Sequence, residues 1–264
     1  MDLETRKKWG LIIKAIAIMF LLLIPRIIID ILGFDTVPIS PVVGAFITGA
    51  IFTIAIIFTG TFTDFKESEK AGGDLAASLK ALYNDSRILP LTDEAPARLF
   101  RTHVRDLHRT INRCFRENSW NLPDIDREMD KVNNDIRTLA YANVAPPLIV
   151  KLRNELGAID RMTNRIEVVI RTDFIPAAYA LAEITTMSVI LLMLFVNIDP
   201  LPAATVIFAV TCTMLVGLVL LIRDMDNPFE IGNHTYADVD LETLNHLETY
   251  FDAQDAADAA RGSS

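Results

Sequence analysis

The chain has few residues of the kinds that build disulfide frameworks or metal sites. It contains two cysteines and four histidines in 264 residues. Cys114 lies in a polar segment and Cys212 in a long apolar one, so the two thiols are not expected to pair. His103 and His108 are five residues apart and do not share a helix face, which predicts surface side chains. No metal site is therefore predicted from the histidines and cysteines.

Signatures of catalysis and of nucleic-acid binding are also absent. The sequence has no glycine-rich phosphate loop and no nucleophile elbow, so we predict no catalytic residue, no cofactor and no enzymatic activity. Arginines recur regularly between Arg98 and Arg116, but residues 64–173 carry equal numbers of acidic and basic side chains. This balance argues against a nucleic-acid partner. It is typical of an arginine-lined helix face near a membrane or another subunit.

Charge is missing from two long runs, Thr36–Thr63 and Pro200–Ile222, which contain no Asp, Glu, Lys or Arg. A helix needs about 20 residues to cross a hydrocarbon core of about 30 Å, so each run is long enough. Two further apolar runs, Ala15–Leu32 and Phe174–Ile198, contain few charges, Glu183 among them. Since no segment shows a strand pattern, we predict an all-α integral membrane protein with four transmembrane helices and a cytoplasmic helical domain.

The loops predict how the chain is oriented. The linkers 32–40 and 197–202 contain no Lys or Arg, whereas the N-terminus, the central segment and Arg223 carry basic side chains. Because positive charge stays on the cytoplasmic side of a membrane, both linkers are expected to face outward. An even number of spans then places both termini in the cytoplasm, with the chain in the plasma (inner) membrane.

Four regions follow from these patterns: 1–63, an N-terminal cytoplasmic segment with transmembrane helices 1 and 2; 64–173, the cytoplasmic helical domain; 174–223, transmembrane helices 3 and 4; and 224–264, an acidic cytoplasmic tail. Within 64–173, apolar residues recur at helical spacing in three series. The series are Leu99/Phe100, Val104, Leu107, Ile111 and Phe115; Ile125, Met129, Val132, Ile136 and Leu139; and Ile149, Leu152, Leu156, Ile159, Met162, Ile166 and Val169.

The tail holds most of the net charge of −9. Its apolar residues from Leu241 to Phe251 predict a short amphipathic helix, with Asp240 placed to cap its N-terminus. Residues 256–264 are predicted to be disordered.

The second span has an unusual composition for a membrane helix. It carries small or mildly polar residues at nearly every turn: Ser40, Pro41, Gly44, Ala45, Thr48, Gly49, Ala55 and Thr59. Such residues allow membrane helices to pack closely. They also suit a helix that lines a narrow pore, where an apolar constriction gates by dewetting. The residues alone leave both interpretations open.

Glu183 is a second unusual residue, because a charge at bilayer depth is costly unless it faces protein or water. We therefore predict that Glu183 faces the protein interior or an aqueous path. A position at the headgroup boundary is the alternative.

Five short motifs occur in order along the chain. They are Val37-Pro38-Ile39-Ser40 with Gly44; Asn84-Asp85-Ser86-Arg87; Arg171-Thr172 with Ile175-Pro176-Ala177-Ala178-Tyr179; Asn227-Pro228-Phe229; and Asp238-Val239-Asp240-Leu241. In this order and in a four-span chain they resemble motifs of the bestrophin channels, in particular of prokaryotic members. The segment 58–70 departs from the family, whose members are rich in arginine and aromatic residues there.

This resemblance implies a homopentamer, embedded in membrane lipids, that passes small inorganic ions along its second spans. The pore neck would fall on Val37, Pro41 and Ala45, with Thr48 one turn further along. The cytoplasmic aperture would fall on Ile175, and Asn227, Pro228 and Phe229 would clamp the tail against neighbouring helices. The rival hypothesis is a membrane-anchored scaffold protein without a pore, which would be monomeric or dimeric.

Ion selectivity and calcium binding are less well determined by the motifs. The family includes anion (chloride) and cation channels, and Asp30, Asp35 and Asp199 near the outer face would concentrate cations, which favours cations slightly. Eukaryotic members bind calcium through an acidic run directly after Asn-Pro-Phe. Here residues 231–235 interrupt that position, so Asp238 and Asp240 are the remaining calcium candidates and no bound metal is predicted.

Overall fold

The computed structural model describes residues 3–89, 94–142, 144–171, 176–230 and 236–262. Within these residues the chain forms nine helices and two strands of two residues each. In chain order they are α1 (Leu3–Ile31), β1 (Val37–Pro38), α2 (Pro41–Arg87), α3 (Ala95–Arg116), α4 (Leu122–Tyr141), α5 (Pro146–Arg171), α6 (Pro176–Phe195), β2 (Val196–Asn197), α7 (Leu201–Met225), α8 (Glu242–Asn245) and α9 (Leu247–Gly262). The predicted all-α class is confirmed.

Four of these helices are long and apolar enough to cross a membrane, as predicted. The candidate spans are Trp9–Ile31, Pro41–Arg87, Ala177–Phe195 and Leu201–Met225. The second of them has 47 residues and continues without interruption past the apolar run that ends at Thr63. A span needs about 20 residues, so only the first part of α2 is required to cross the bilayer.

The expectation that the chain contains no strand was wrong in one detail. β1 and β2 pair in parallel, with Val37 opposite Val196 and Pro38 opposite Asn197. The two segments lie in, or directly before, the two linkers that were predicted to face outward. Their pairing satisfies backbone groups that would otherwise lack a partner next to an apolar layer.

The chain divides into two compact units. The first comprises residues 1–65, 173–228 and 232–238, and the second comprises residues 66–172, 229–231 and 239–264. The bounds of the four regions predicted from the sequence stay predictions.

In the first unit, α1, α6, α7 and the first part of α2 share one apolar core. Its buried members include Met19, Ile54, Val189 and Phe208. Among the described residues of this unit, one charged side chain is buried, that of Arg26, which is 1% exposed. Its guanidinium donates a hydrogen bond of 2.9 Å to the carbonyl of Leu194 in the last turn of α6, and it lies 3.6 Å from the carboxylate of Asp30. Arg26 therefore caps α6, whose last carbonyls have no partner within the helix.

The second unit is built on the three apolar series predicted from the sequence. All five members of the α4 series are buried, as are Phe100, Val104, Leu107, Ile111 and Phe115 of α3. Leu99 is 51% exposed, so Phe100 is the member of that pair that faces the core. Cys114 and Cys212 are both buried and free, and they belong to different units.

The tail joins the second unit through α8 and α9. Asp240 lies one position before the N-cap residue Leu241, and its carboxylate accepts a hydrogen bond of 2.8 Å from the backbone N–H of Glu242, the first residue of α8. The predicted disorder was wrong for residues 256–262, since α9 continues to Gly262, and residues 263–264 lie outside the described residues. Side chains on the outer turns of α9 hold it in place: Arg87 donates a hydrogen bond of 2.8 Å to Asp258.

The prediction that His108 lies on the surface was also wrong. His108 is 1% exposed, because α8 and α9 cover this part of α3. Its Nε2 lies 2.8 Å from the carbonyl oxygen of Leu244, and its ring meets the edge of the Phe251 ring. Burial lowers the pKa of the His108 imidazole. The neutral ring therefore donates to Leu244 at physiological pH.

Candidate functional site

The first part of α2 presents a continuous exposed stripe. Seven residues at alternating spacings of four and three lie on it, and all seven are exposed: Pro41, Ala45, Thr48, Phe52, Ala55, Thr59 and Phe62. We call this set the α2 stripe. A repeat of seven residues is the pattern by which helices pack side by side along a narrow seam.

The opposite face of α2 is packed inside the first unit. Ala50, Ile54, Ile57 and Thr61 are all buried there. Ala45 and Ile54 are separated by about two and a half helical turns, so their side chains point in opposite directions. The stripe therefore faces away from the core of its own chain.

Two glycines beside the stripe, Gly44 and Gly49, have open space around them. A Cβ atom built on Gly44 or Gly49 would meet no atom within 4 Å. Neither glycine is therefore needed for packing within this chain. At these two positions another molecule could approach the backbone of α2 closely, such as a second copy of the chain or a column of water and ions.

The hydroxyl groups along the stripe are partly engaged. Thr48 Oγ1 donates to the carbonyl of Gly44 at 2.9 Å, and Thr59 Oγ1 donates to the carbonyl of Ala55 at 2.8 Å. A hydroxyl that donates to its own helix keeps its lone pairs as acceptors. Outside these oxygens the stripe is apolar, because its other members are Pro, Ala and Phe.

The remaining predicted site residues lie in different surroundings. Val37 is half-buried in β1, before α2 begins. Ile175 lies outside the described residues. Glu183 is exposed on α6, and it does not point into the core of this chain. The structure brings Pro41, Ala45 and Thr48 together on one face and does not place Val37 on that helix.

The predicted clamp motif and the calcium candidates follow the last span. Asn227 is exposed, and Pro228 and Phe229 are buried. The Phe229 ring lies 5.7 Å from the Phe115 ring in the second unit. Asp240 is engaged in capping α8, and no group of three or more acidic, histidine or cysteine side chains among the described residues could hold a metal ion.

The motif at 84–87 has a structural role that its sequence does not reveal. Asn84 accepts a hydrogen bond from the Tyr250 hydroxyl at 3.0 Å, and Arg87 binds Asp258. Asp85 accepts a hydrogen bond of 2.7 Å from Lys151 of α5. The motif thus ties α2 to both α5 and α9 within the second unit.

The arginines of α3 were predicted to face a membrane or another subunit. Two of them instead bind the acidic tail of their own chain. Arg105 donates to Glu248 and to Asp255, each at 2.8 Å, and Arg109 donates to Glu248 at 3.1 Å. Arginines of α3 therefore compensate the charge of Glu248, Asp252 and Asp255 in α9.

Phe52 is a candidate site residue that was not predicted from the sequence. It is 65% exposed and lies on the α2 stripe, one turn beyond Thr48. Its spacing of seven residues from Ala45 is the signal that could have identified it. It is the bulkiest side chain between Pro41 and Ala55 on this face.

The structure resembles those of known membrane proteins over nearly its whole length. A point variant of a bacterial bestrophin homologue from Klebsiella pneumoniae matches with a TM-score of 0.72 and 13% identity, over 93% of this chain and 99% of that one. Another structure of the Klebsiella pneumoniae homologue matches with a TM-score of 0.70 and 14% identity, over 92% and 96%. A variant described as a membrane protein matches with a TM-score of 0.74 and 15% identity, over 91% of this chain and 97% of that one. No protein-family model and no curated protein matches the sequence. The chain has the fold of the bacterial bestrophin homologues.

Proposed function

We propose that this protein is a bestrophin-like ion channel whose α2 helices surround a central pore. The α2 stripe is the observation that carries the proposal, because it is a face of a membrane-spanning helix that its own chain leaves uncovered. In a homopentamer, five copies of the stripe would meet around an axis. The shared fold with bacterial bestrophin homologues supports this arrangement.

The composition of the stripe suits an apolar gate. Pro41 and Ala45 would form the outer neck, with Val37 at its mouth, and five Phe52 rings would narrow the path further along. An apolar constriction a few ångströms in radius resists wetting, so it blocks ions without a charged plug. The gate would open when the helices separate enough to admit water.

Selectivity for cations is the second part of the proposal. The engaged hydroxyls of Thr48 and Thr59 would present acceptor oxygens to the path, and such oxygens favour cations over anions. Asp35 and Asp199 at the outer linkers would add negative charge in every subunit. Asp30 contributes less than the sequence suggested, because it is paired with Arg26.

A flux assay on purified protein tests the channel. In liposomes, potassium or sodium flux should exceed that of empty liposomes, and it should exceed chloride flux. The oligomeric state separates the two hypotheses: a pentamer that conducts supports the channel, whereas a monomer or dimer without flux supports a membrane-anchored scaffold.

Orientation can be tested by cysteine labelling on whole cells. We expect Asp199→Cys to react with a membrane-impermeant thiol reagent, because Asp199 lies in a linker without positive charge. Asp126→Cys in α4 should react only after the cells are opened. Both native cysteines are buried, so they give little background. Labelling of Asp126→Cys alone in intact cells would invert the proposed topology.

Ile175 remains a proposed cytoplasmic constriction on the strength of the family-like motif that surrounds it. We expect Ile175→Ala to widen the path and to change conductance or the ratio of permeabilities at least twofold, without loss of assembly. Single-channel recording in bilayers measures both. Unchanged currents from a correctly assembled variant would remove Ile175 from the path.

Glu183 remains a proposed contact with water or with a second subunit. It is exposed on α6, where a charge in lipid would cost about 3 kcal/mol on insertion scales. If Glu183 faces a polar surface of the assembly, then Glu183→Leu should weaken the oligomer, as measured by native mass spectrometry. If it faces lipid, removing the charge should instead increase stability, and the proposal would fail.

A further inference from the structure

The second unit contains a cavity that has no part in the proposed pore. Its volume is about 540 Å³, within the range of sites for small molecules. It lies between α3 and α9, and its lining is dominated by charged side chains: Glu94, Arg98, Arg101, Thr102, Arg105, Arg109, Asp255 and Asp258.

The acidic groups of α9 in this lining already have partners. Asp255 accepts hydrogen bonds from Arg105 and from the Tyr83 hydroxyl. Asp258 forms an ion pair with Arg87, which lies outside the lining. Each of these carboxylates is therefore compensated by a cation or a hydroxyl, and neither is left to neutralise the remaining arginines.

Arg98 and Arg101 are those remaining arginines. Among the described residues, neither guanidinium has an ion-pair partner, although Arg101 is half-buried. Arg98 is exposed at the rim of the cavity. The cavity thus presents two guanidinium groups that no described carboxylate pairs with, and a bound anion would supply the missing partner.

The placement of these donors selects the chemistry of the ligand. Arg98 and Arg101 are three residues apart, so they lie on the same side of α3. They stand in its first two turns, where the helix dipole adds positive potential. Guanidinium groups bind phosphate through paired N–H donors. We propose that this cavity binds a small anion that carries two or more phosphate groups, held by Arg98 and Arg101.

Glu94 supplies an internal control for this proposal. It lines the same cavity, it is exposed, and it would repel a phosphate. Removing its charge should therefore strengthen binding, whereas removing either arginine should weaken it. A general loss of structure would weaken binding in all three variants.

Calorimetric titration of tripolyphosphate into the purified oligomer, held in nanodiscs of phosphatidylcholine, tests the site. We expect one site per protomer. Arg98→Gln and Arg101→Gln should each weaken binding about tenfold, the loss expected for one charged hydrogen bond. Glu94→Gln should tighten it. Arg116→Gln, an exposed arginine on the same helix outside the cavity, should leave the Kd within twofold.

The source of the phosphate is distinguished by a second set of nanodiscs. If adding a phosphorylated inositol lipid weakens tripolyphosphate binding to the wild type and not to Arg98→Gln, a lipid headgroup reaches the site. If it does not, the ligand is a free phosphate compound. The proposal is overturned if tripolyphosphate shows no saturable binding at millimolar concentration. It is also overturned if Arg116→Gln weakens binding as much as Arg98→Gln.

Discussion

Replacing Ala45 with phenylalanine is expected to abolish ion flux while the oligomer still assembles. Ala45 lies on the α2 stripe and points away from the core of its own chain. In a pentamer, five phenyl rings would converge at one level of the pore and would exclude both water and ions. We expect a reduction of more than tenfold in flux from liposomes. Size-exclusion chromatography of the same sample shows whether the variant assembles.

The opposite substitution should have the opposite effect. Ala45→Ser adds a hydroxyl with almost no increase in volume, so it should hydrate the neck and raise the basal flux. Val206→Phe is the matched control, because Val206 is 61% exposed on α7 and takes no part in the stripe. It adds a ring to an exposed face of α7 and should leave the flux unchanged.

The two Ala45 variants can also contradict the proposal. If both assemble and conduct as the wild type does, Ala45 does not line the pore. Gly44, beside the stripe, and Thr48, one turn further along it, are then the positions to test, with the same pair of substitutions. If these variants also conduct normally, α2 does not surround the path, and the channel proposal fails.

The spans and the helical faces of the second unit could be predicted from the sequence for simple reasons. An uncharged run longer than 20 residues has few alternatives to a membrane helix. In the polar segment 64–173, apolar residues are a minority, so their period identifies the buried face directly. Ile125 and Leu139, for example, are buried as predicted.

The attachment of the tail could not be predicted in the same way. Arg105 and Glu248 are separated by 143 positions, and six arginines of α3 compete for the acids of α9. Opposite charges on two helices predict attraction but not which pairs form or in what register. The burial of His108 and the ordering of residues after 256 both follow from this docking, so both were mispredicted.

The face of α2 that forms the stripe was only partly predictable. Residues 36–63 are apolar on every side of the helix, so hydrophobic periodicity does not distinguish the buried face from the uncovered one. Pro41, Ala45 and Thr48 were identified by resemblance to a family motif, and they share the exposed face. Val37 was predicted by the same motif but precedes the helix. Phe52 was missed because the buried face of α2, which carries Ile54 and Ile57, is not distinguished by hydrophobicity.

Truncating Phe251 to alanine is expected to release α9 from the second unit. Phe251 is fully buried, and its ring stacks on Tyr83 with centroids 4.3 Å apart. It also meets the ring of His108. Removing a buried phenyl ring costs about 3–5 kcal/mol, because apolar contact is lost and a cavity is left. The ion pairs of α9 are the same in the wild type and in the variant, so they do not compensate for the lost ring.

Hydrogen exchange of the α9 backbone measures the effect. If α9 opens as a local unit, a loss of about 3 kcal/mol raises its exchange rates more than a hundredfold. Phe251→Leu keeps part of the apolar contact and should give a smaller increase. Tyr141→Ala removes an aromatic ring that is 81% exposed, so α9 should exchange as in the wild type. If α9 is equally protected in Phe251→Ala and in the wild type, the charged contacts alone hold it. That result would contradict the expectation that burial of Phe251 stabilises α9 more than its ion pairs do.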